Sequence, residues 1–237
     1  MSDADRLLLM SALAVKEPLT ELLTELATTS GLAIETVFDP TAVIEKAIAG
    51  GSRPDLVVCI DAAMGRLVEQ RVIEGSSVRV LAESSIGVAI APGAPAPDIG
   101  SVEELIAALL GARAVAYSRT GASGQSFAKL IDRLGIADRV NARAVVIEKG
   151  FVAETLLDGR ADLAIQQLSE LAVVDGVDIV GPLPDGAQDR VVLSVGIGIG
   201  RADDPAVRRV YEALVSSRMT ERLVAAHLEP PLRSSLQ

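Results

Sequence analysis

Residues 114–138 read AVAYSRTGASGQSFAKLIDRLGIAD. Positions 114–117 form a short apolar strand pattern, 118–124 are rich in glycine and hydroxyl, and 123–134 carry the apolar spacing of an amphipathic helix. Strand, tight loop and helix in that order is the building unit of an α/β domain. The glycines permit a tight backbone path, and the free amides at a helix start can receive an anion. Arg119, Thr120, Ser123 and Gly124 are therefore candidate ligand contacts. The loop is no P-loop, because no Gly-Lys-Ser or Gly-Lys-Thr follows its glycines, and it lacks GxGxxG. Plain helix capping is the competing reading.

Working outward, the unit recurs. Strand patterns occupy 7–13, 32–38, 55–60, 144–147, 163–165 and 191–199, with helical spacing at 16–29, 41–49, 151–157, 205–215 and 220–227. Asp61 is expected to cap a helix running to about residue 72. A strand-rich piece at 78–90 breaks near 83–85, and the three prolines of APGAPAP at 91–97 mark a surface loop. Ser101 and Glu104 have capping-box spacing for a helix through 110. Two similar α/β halves follow: residues 1–82 with 188–237 as one discontinuous lobe, and 83–187 as the other. This predicts a two-lobed fold with mixed, mostly parallel sheets and an interlobe cleft suited to a ligand. A single doubly wound sheet is the alternative.

Composition narrows the function. The 237 residues carry 22 Lys and Arg against 32 Asp and Glu, a formal charge of −10, with no basic run; nucleic acid and anionic membranes are disfavoured partners. An apolar share of 49% argues for a folded globule. Apolar stretches of about ten residues fall short of the ~20 that span a bilayer, so no membrane insertion is expected. One cysteine, Cys59 in LVVCI, and one histidine, His227, permit neither an internal disulfide nor an ordinary zinc site; no metal or cofactor is expected. Asp3 and Asp5 stand where an export signal would carry positive charge. The expectation is cytoplasmic, or periplasmic if an export segment has been removed. A transporter partner is disfavoured on the same ground, and the expected state is monomer or dimer.

Three further strand-to-helix corners repeat the arrangement: Ser11 to Lys16, Asp39 to Thr41, and Lys149 through Gly150 to Val152. Parallel strands would bring such corners to one sheet edge. Lys16, Arg119 and Lys149 supply local positive charge within an acidic chain. Asp39 disfavours a fully charged inorganic oxyanion and suits a ligand with a hydroxyl, amine or protonated edge. If there is catalysis, Asp39 and Lys149 are the acid/base candidates. His227 as a general base, and Ser11 with Lys16 as nucleophile and base, rank below them. Gln166 and Gln167 end an apolar strand, where an amide either reaches a ligand or is satisfied by backbone. Tyr117 lines a site or packs in the core. The glycines of GIGIG at 196–200 close a strand and read as close-packing or hinge glycines.

SALAVK at 11–16, FDPT at 38–41, PDLVV at 54–58, 118–124 with FAKLIDRLGIAD, and GRADLAIQQLSE at 159–170 together resemble the bacterial extracellular solute-binding proteins related to molybdate-binding protein, over about residues 7–230. The resemblance implies a type II periplasmic-binding fold, with an oxyanion held by hydroxyls and helix-start amides near Ala14, Thr41, Ser123, Val152 and Gln167. Ala14 replaces the serine of that pattern's first corner, Gln167 a tyrosine late in it, and Asp39 adds negative charge. These departures favour a small organic anion, a carboxylate, over molybdate. The reading is ligand binding, with an isomerase of a small unsaturated carboxylate as the alternative; a purely structural role ranks third.

Overall fold

The computed structural model describes residues 6–230. Asp3 and Asp5 lie outside them. Along the chain, β1 (Arg6–Ser11), α1 (Lys16–Ser30), β2 (Ala33–Phe38), α2 (Thr41–Ala49), β3 (Leu56–Ile60), α3 (Asp61–Glu69) and β4 (Arg79–Ser84) come first. Next are β5 (Ile86–Ile90), α4 (Val102–Gly111), β6 (Val115–Ser118), α5 (Ala122–Arg133), α6 (Ala137–Asn141), β7 (Val145–Ile147), α7 (Glu154–Leu157), β8 (Leu163–Gln167), α8 (Leu168–Leu171) and β9 (Asp178–Pro182). The chain then adds β10 (Val191–Ile197), α9 (Pro205–Leu214) and α10 (Ser217–Ala225). It divides into two units, Met1–Glu83 with Val192–Gln237, and Ser84–Val191.

The first unit holds a sheet ordered β2-β1-β3-β10-β4. β1 pairs in parallel with β2 and β3, and β10 lies antiparallel to β3. Alternation along β1 sends Met10 to one face, against Ile44, Ile48, Met64 and Leu67 of α2 and α3, and Leu7 and Leu9 to the other. α1 packs on α9 and α10, and Arg222 ties α10 to α1 through Glu21 at 2.9 Å and Glu25 at 2.5 Å. Gly198 in GIGIG is a close-packing glycine: a Cβ there would stand 2.4 Å from the Pro54 carbonyl oxygen.

The second unit holds a sheet ordered β7-β6-β8-β5-β9. β6 pairs in parallel with β7 and β8, while β5 is antiparallel to both β8 and β9. One face buries Ile86, Val88, Leu163 and Ile165 under Leu105, Leu109 and Phe127. The other packs Ala89, Ala116 and Ala164 against Val152 and Leu156. Burying such a Leu, Ile or Phe side chain is worth roughly 1.5–3 kcal/mol. The Ser101–Glu104 capping box forms, with Ser101 Oγ accepting from the Glu104 amide and Glu104 Oε2 from the Ser101 amide at 2.9 Å.

Several local expectations are corrected. β1 ends at Ser11, and Leu13–Val15 form a 3-10 turn leading into α1. Asp61 does not cap α3; its carboxylate accepts the Ser194 hydroxyl of β10 at 2.6 Å. The run 178–182, absent from the strand patterns above, is an edge strand, whose terminal Pro182 is tolerated there. α7 starts at Glu154 rather than 151; Phe151 and Val152 precede it in turns, their carbonyls accepting the Glu154 and Thr155 amides at 3.3 and 3.0 Å.

Candidate functional site

In the second unit the parallel strands β7, β6 and β8 end at Ile147, Ser118 and Gln167, so the segments that follow them share one sheet edge. The loop after β6 is held from below. Ser118 Oγ accepts the Gly121 amide at 3.0 Å, Thr120 Oγ1 donates to the Glu148 carbonyl at 2.5 Å, and the Arg119 amide donates to the Ile147 carbonyl at 2.8 Å. α5 begins at Ala122 with Gly121 as N-cap and no side-chain cap. The Gln125 amide is the one that bonds back to Gly121; the first-turn amides before it have no intrahelical acceptor. Gly124 brings this turn against the strand end, where a Cβ would meet the Ser118 carbonyl oxygen at 1.8 Å.

Ser123, in the first turn of α5, is 1% exposed and its Oγ has no hydrogen-bond partner. A buried hydroxyl without a partner is uncommon and costly. Gln167 lies on the same sheet face as Ser123, because it alternates with Ile165 and Leu163 in the cluster that receives Phe127 of α5. Its Oε1 is likewise buried and without a partner, while its Nε2 donates to Glu170 Oε1 at 3.3 Å. The start of α5, Ser123 Oγ and the Gln167 amide thus form a set of polar groups with spare hydrogen-bonding capacity.

The neighbouring glutamine does different work. Gln166 points to the opposite face, where its Oε1 accepts the Val152 amide at 2.7 Å and its Nε2 donates to the Gly150 carbonyl at 2.9 Å. It shapes the corner after β7 and is satisfied by backbone. Val152 is fully buried, Gly150 is partly exposed, and Lys149 is exposed. The Arg119 guanidinium is exposed and pairs with Glu148 at 2.8 Å. Tyr117 is a core residue: its hydroxyl donates to Asn141 Oδ1 at 2.8 Å and its ring meets Phe127 edge-on at 5.3 Å.

In the first unit β1, β2 and β3 also run parallel and end together at Ser11, Phe38 and Ile60. Ser11 is fully buried and its Oγ donates to the Ala12 carbonyl at 3.1 Å, while its carbonyl accepts the Asp39 amide at 3.1 Å. Thr41 opens α2, with its Oγ1 accepting the Ile60 amide at 3.4 Å. Ala14 is buried in the 3-10 turn and Lys16 begins α1. These corners bring Ser11, Asp39 and Thr41 to one edge. Asp39 belongs to this unit and Lys149 to the other. His227 is outside both edges, in a left-handed conformation (φ 62°) just beyond α10.

Sequence reasoning missed Glu170. This residue is 5% exposed in α8, and burial pushes its pKa up to about 8, opposed in part by hydrogen bonds from the Gln166 side chain and the Gln167 backbone N–H. Ser84 and Ser169 carry further buried hydroxyls without partners. The signal was an acid three residues past the end of the strand LAIQQ, in QQLSE. Cys59 is buried and its thiol is pushed up to about 12, first by burial and then by Glu45, so it is not a nucleophile. Among the described residues no group of three or more His, Cys, Asp or Glu is placed to hold a metal. No described helix is long and apolar enough to cross a membrane.

Residues 7–229 match the bacterial extracellular solute-binding protein family. The chain belongs to that family. An aconitate isomerase from a Pseudomonas species is 31% identical over 194 residues, spanning 81% of this chain and 73% of the relative. The periplasmic molybdate-binding protein of Azotobacter vinelandii superposes with a TM-score of 0.78 at 18% identity, covering 95% of this chain and 100% of that one. The sulfate-binding protein SubI of Mycobacterium tuberculosis gives 0.73 at 16% identity, covering 97% and 88%. At these identities the solved structures establish the type II periplasmic-binding fold.

Proposed function

We propose that this solute-binding protein holds a small carboxylate or oxo anion at its strand-end corners. The observation that carries the reading is the start of α5, where amides without intrahelical acceptors stand with a buried Ser123 hydroxyl that has no partner. A partly negative oxygen supplies what those groups lack. Gln167, Thr120 and Gly124 complete this site; Ser11, Ala14, Lys16 and Thr41 are the corresponding candidates at the strand-end corners of the first unit. At the first unit's corners Asp39 disfavours a fully ionised inorganic oxyanion and suits an organic acid, which can present a hydroxyl or protonated edge. The test is native mass spectrometry and calorimetry of the purified chain with cis-aconitate, trans-aconitate, citrate, molybdate and sulfate. Saturable one-to-one binding of a carboxylate is expected; no binding of any of the five refutes the reading.

The aconitate isomerase relative favours a second reading, conversion of a small unsaturated carboxylate. Moving a double bond along such an acid requires a base to take a proton from one carbon and an acid to return one at the other end of the allylic system, so no co-substrate is consumed. Asp39 and Lys149 are the acid/base candidates for it. Proton NMR of trans-aconitate incubated with the protein in heavy water tests it. A cis product carrying deuterium supports turnover, and unchanged, undeuterated substrate refutes it while leaving binding intact.

A further inference from the structure

We propose that Glu170 is a positioning residue that selects which end of the Gln167 amide faces a bound anion. The inference rests on the anion-binding reading above. Gln167 and Glu170 are both buried, at 4% and 5% exposure, and their side chains meet at 3.3 Å. The far end of the same amide is without a partner. An amide's oxygen and nitrogen ends are alike in shape, so a half-turn about its last torsion exchanges them at little steric cost.

The two protonation states of Glu170 dictate opposite choices. An ionised carboxylate only accepts hydrogen bonds, so it holds the Gln167 NH2 and leaves the carbonyl oxygen outward, where it repels an oxyanion. A protonated carboxyl can donate to that carbonyl instead, which turns the NH2 outward as an anion donor. Anion binding and the Glu170 proton therefore favour one another, and each must strengthen the other equally.

The surroundings suit the protonated form. α8 packs on β5, β8 and β9. The ionisable side chain in those three strands is Asp178, whose carboxylate accepts the Gly93 amide at 2.8 Å. Burial is the largest influence on Glu170 and holds its pKa near 8, so the proton is mostly present at neutral pH. The Ser169 hydroxyl beside it in α8 is likewise buried without a partner.

The test is calorimetric titration of trans-aconitate, with molybdate as a second probe, from about pH 7 to about pH 9.5, in paired buffers of different ionisation heat. Both probes are fully ionised across this range. Wild-type affinity is expected to fall with pH, approaching about tenfold per unit at the alkaline end, with uptake of up to about one proton per anion bound. Glu170→Gln, which can donate to Gln167 at every pH, is expected to give a flat profile, and Gln167→Leu a weakened and flat one. The proton-uptake measurement needs no variant and stands even if Glu170→Gln fails to fold. A wild-type profile that is flat, or a slope retained in Glu170→Gln, overturns the role of Glu170. Absence of any wild-type binding at neutral pH instead overturns the anion-binding reading and the proposal with it.

Discussion

Replacing Gly124 by alanine tests whether the close approach of α5 to the end of β6 builds the anion cradle. The new Cβ would lie 1.8 Å from the Ser118 carbonyl oxygen, 2.7 Å from its carbonyl carbon and 3.0 Å from its nitrogen. All three atoms are backbone, so no side chain can swing aside, and strand and helix must part by roughly 1.5 Å to restore ordinary contact. Overpacking of this kind costs about 1–3 kcal/mol, set against ~0.5–1 kcal/mol gained from alanine's better helix propensity. The same shift moves the Ser123 hydroxyl and the first-turn amides out of register with Gln167. Each hydrogen bond to a charged ligand lost in this way is worth about 1.5–3 kcal/mol, so affinity should fall by about ten- to a hundredfold. Gly65→Ala is the control, because a Cβ at that exposed position in α3 meets nothing within 4 Å. It should raise stability by about 0.5–1 kcal/mol and leave binding alone. Urea melts and calorimetry with trans-aconitate read both effects. A Gly124→Ala protein with wild-type midpoint and wild-type affinity would refute the reasoning.

Other expectations follow from the same geometry. Ser123→Ala removes a buried hydroxyl that has no partner, so it should leave the melting midpoint unchanged or slightly higher while weakening the anion by up to about tenfold; a loss of stability without loss of binding contradicts this. Gln166→Leu strands the Val152 amide and the Gly150 carbonyl, which should cost about 1–3 kcal/mol in urea melts. Cys59 should resist thiol reagents in the native state and react once denatured, and rapid native labelling would contradict its burial and raised pKa. Glu170 binds its proton more tightly in the folded chain than in the unfolded one. Its contribution to stability is therefore full below about pH 4.5, the ordinary carboxyl range, and declines until about pH 8, a slope that chemical denaturation of Glu170→Gln should lack.

Period and punctuation carried most of the architecture. The alternation of β-branched runs with stripes such as Leu19, Leu22 and Leu23 places strands and helices because burial on one face demands it. Ser101 with Glu104 marks a helix start because both partners of the box are local. What stayed illegible depends on neighbours remote in sequence. Asp61 looks like a cap until Ser194, on β10, claims its carboxylate. Gln166 and Gln167 are adjacent and chemically identical, yet sheet alternation sends one to the Gly150–Val152 corner and the other toward α5. Local spacing cannot express that the Val152 amide is already used, nor that Glu170 lies where water is excluded.

The place of β10 has a consequence for synthesis on the ribosome. Residues 84–191 are contiguous, so their sheet has all five strands once β9 has emerged. The other unit has its first four strands made early, yet β10 belongs between β3 and β4. Until residues 191–197 are translated, β3 keeps an unpaired edge and β4 lacks its inner neighbour. The later-numbered unit is thus the first that can close, and the earlier one waits with exposed strand edges. Slowing translation between β4 and β10 should lengthen that wait and increase aggregation of the nascent chain.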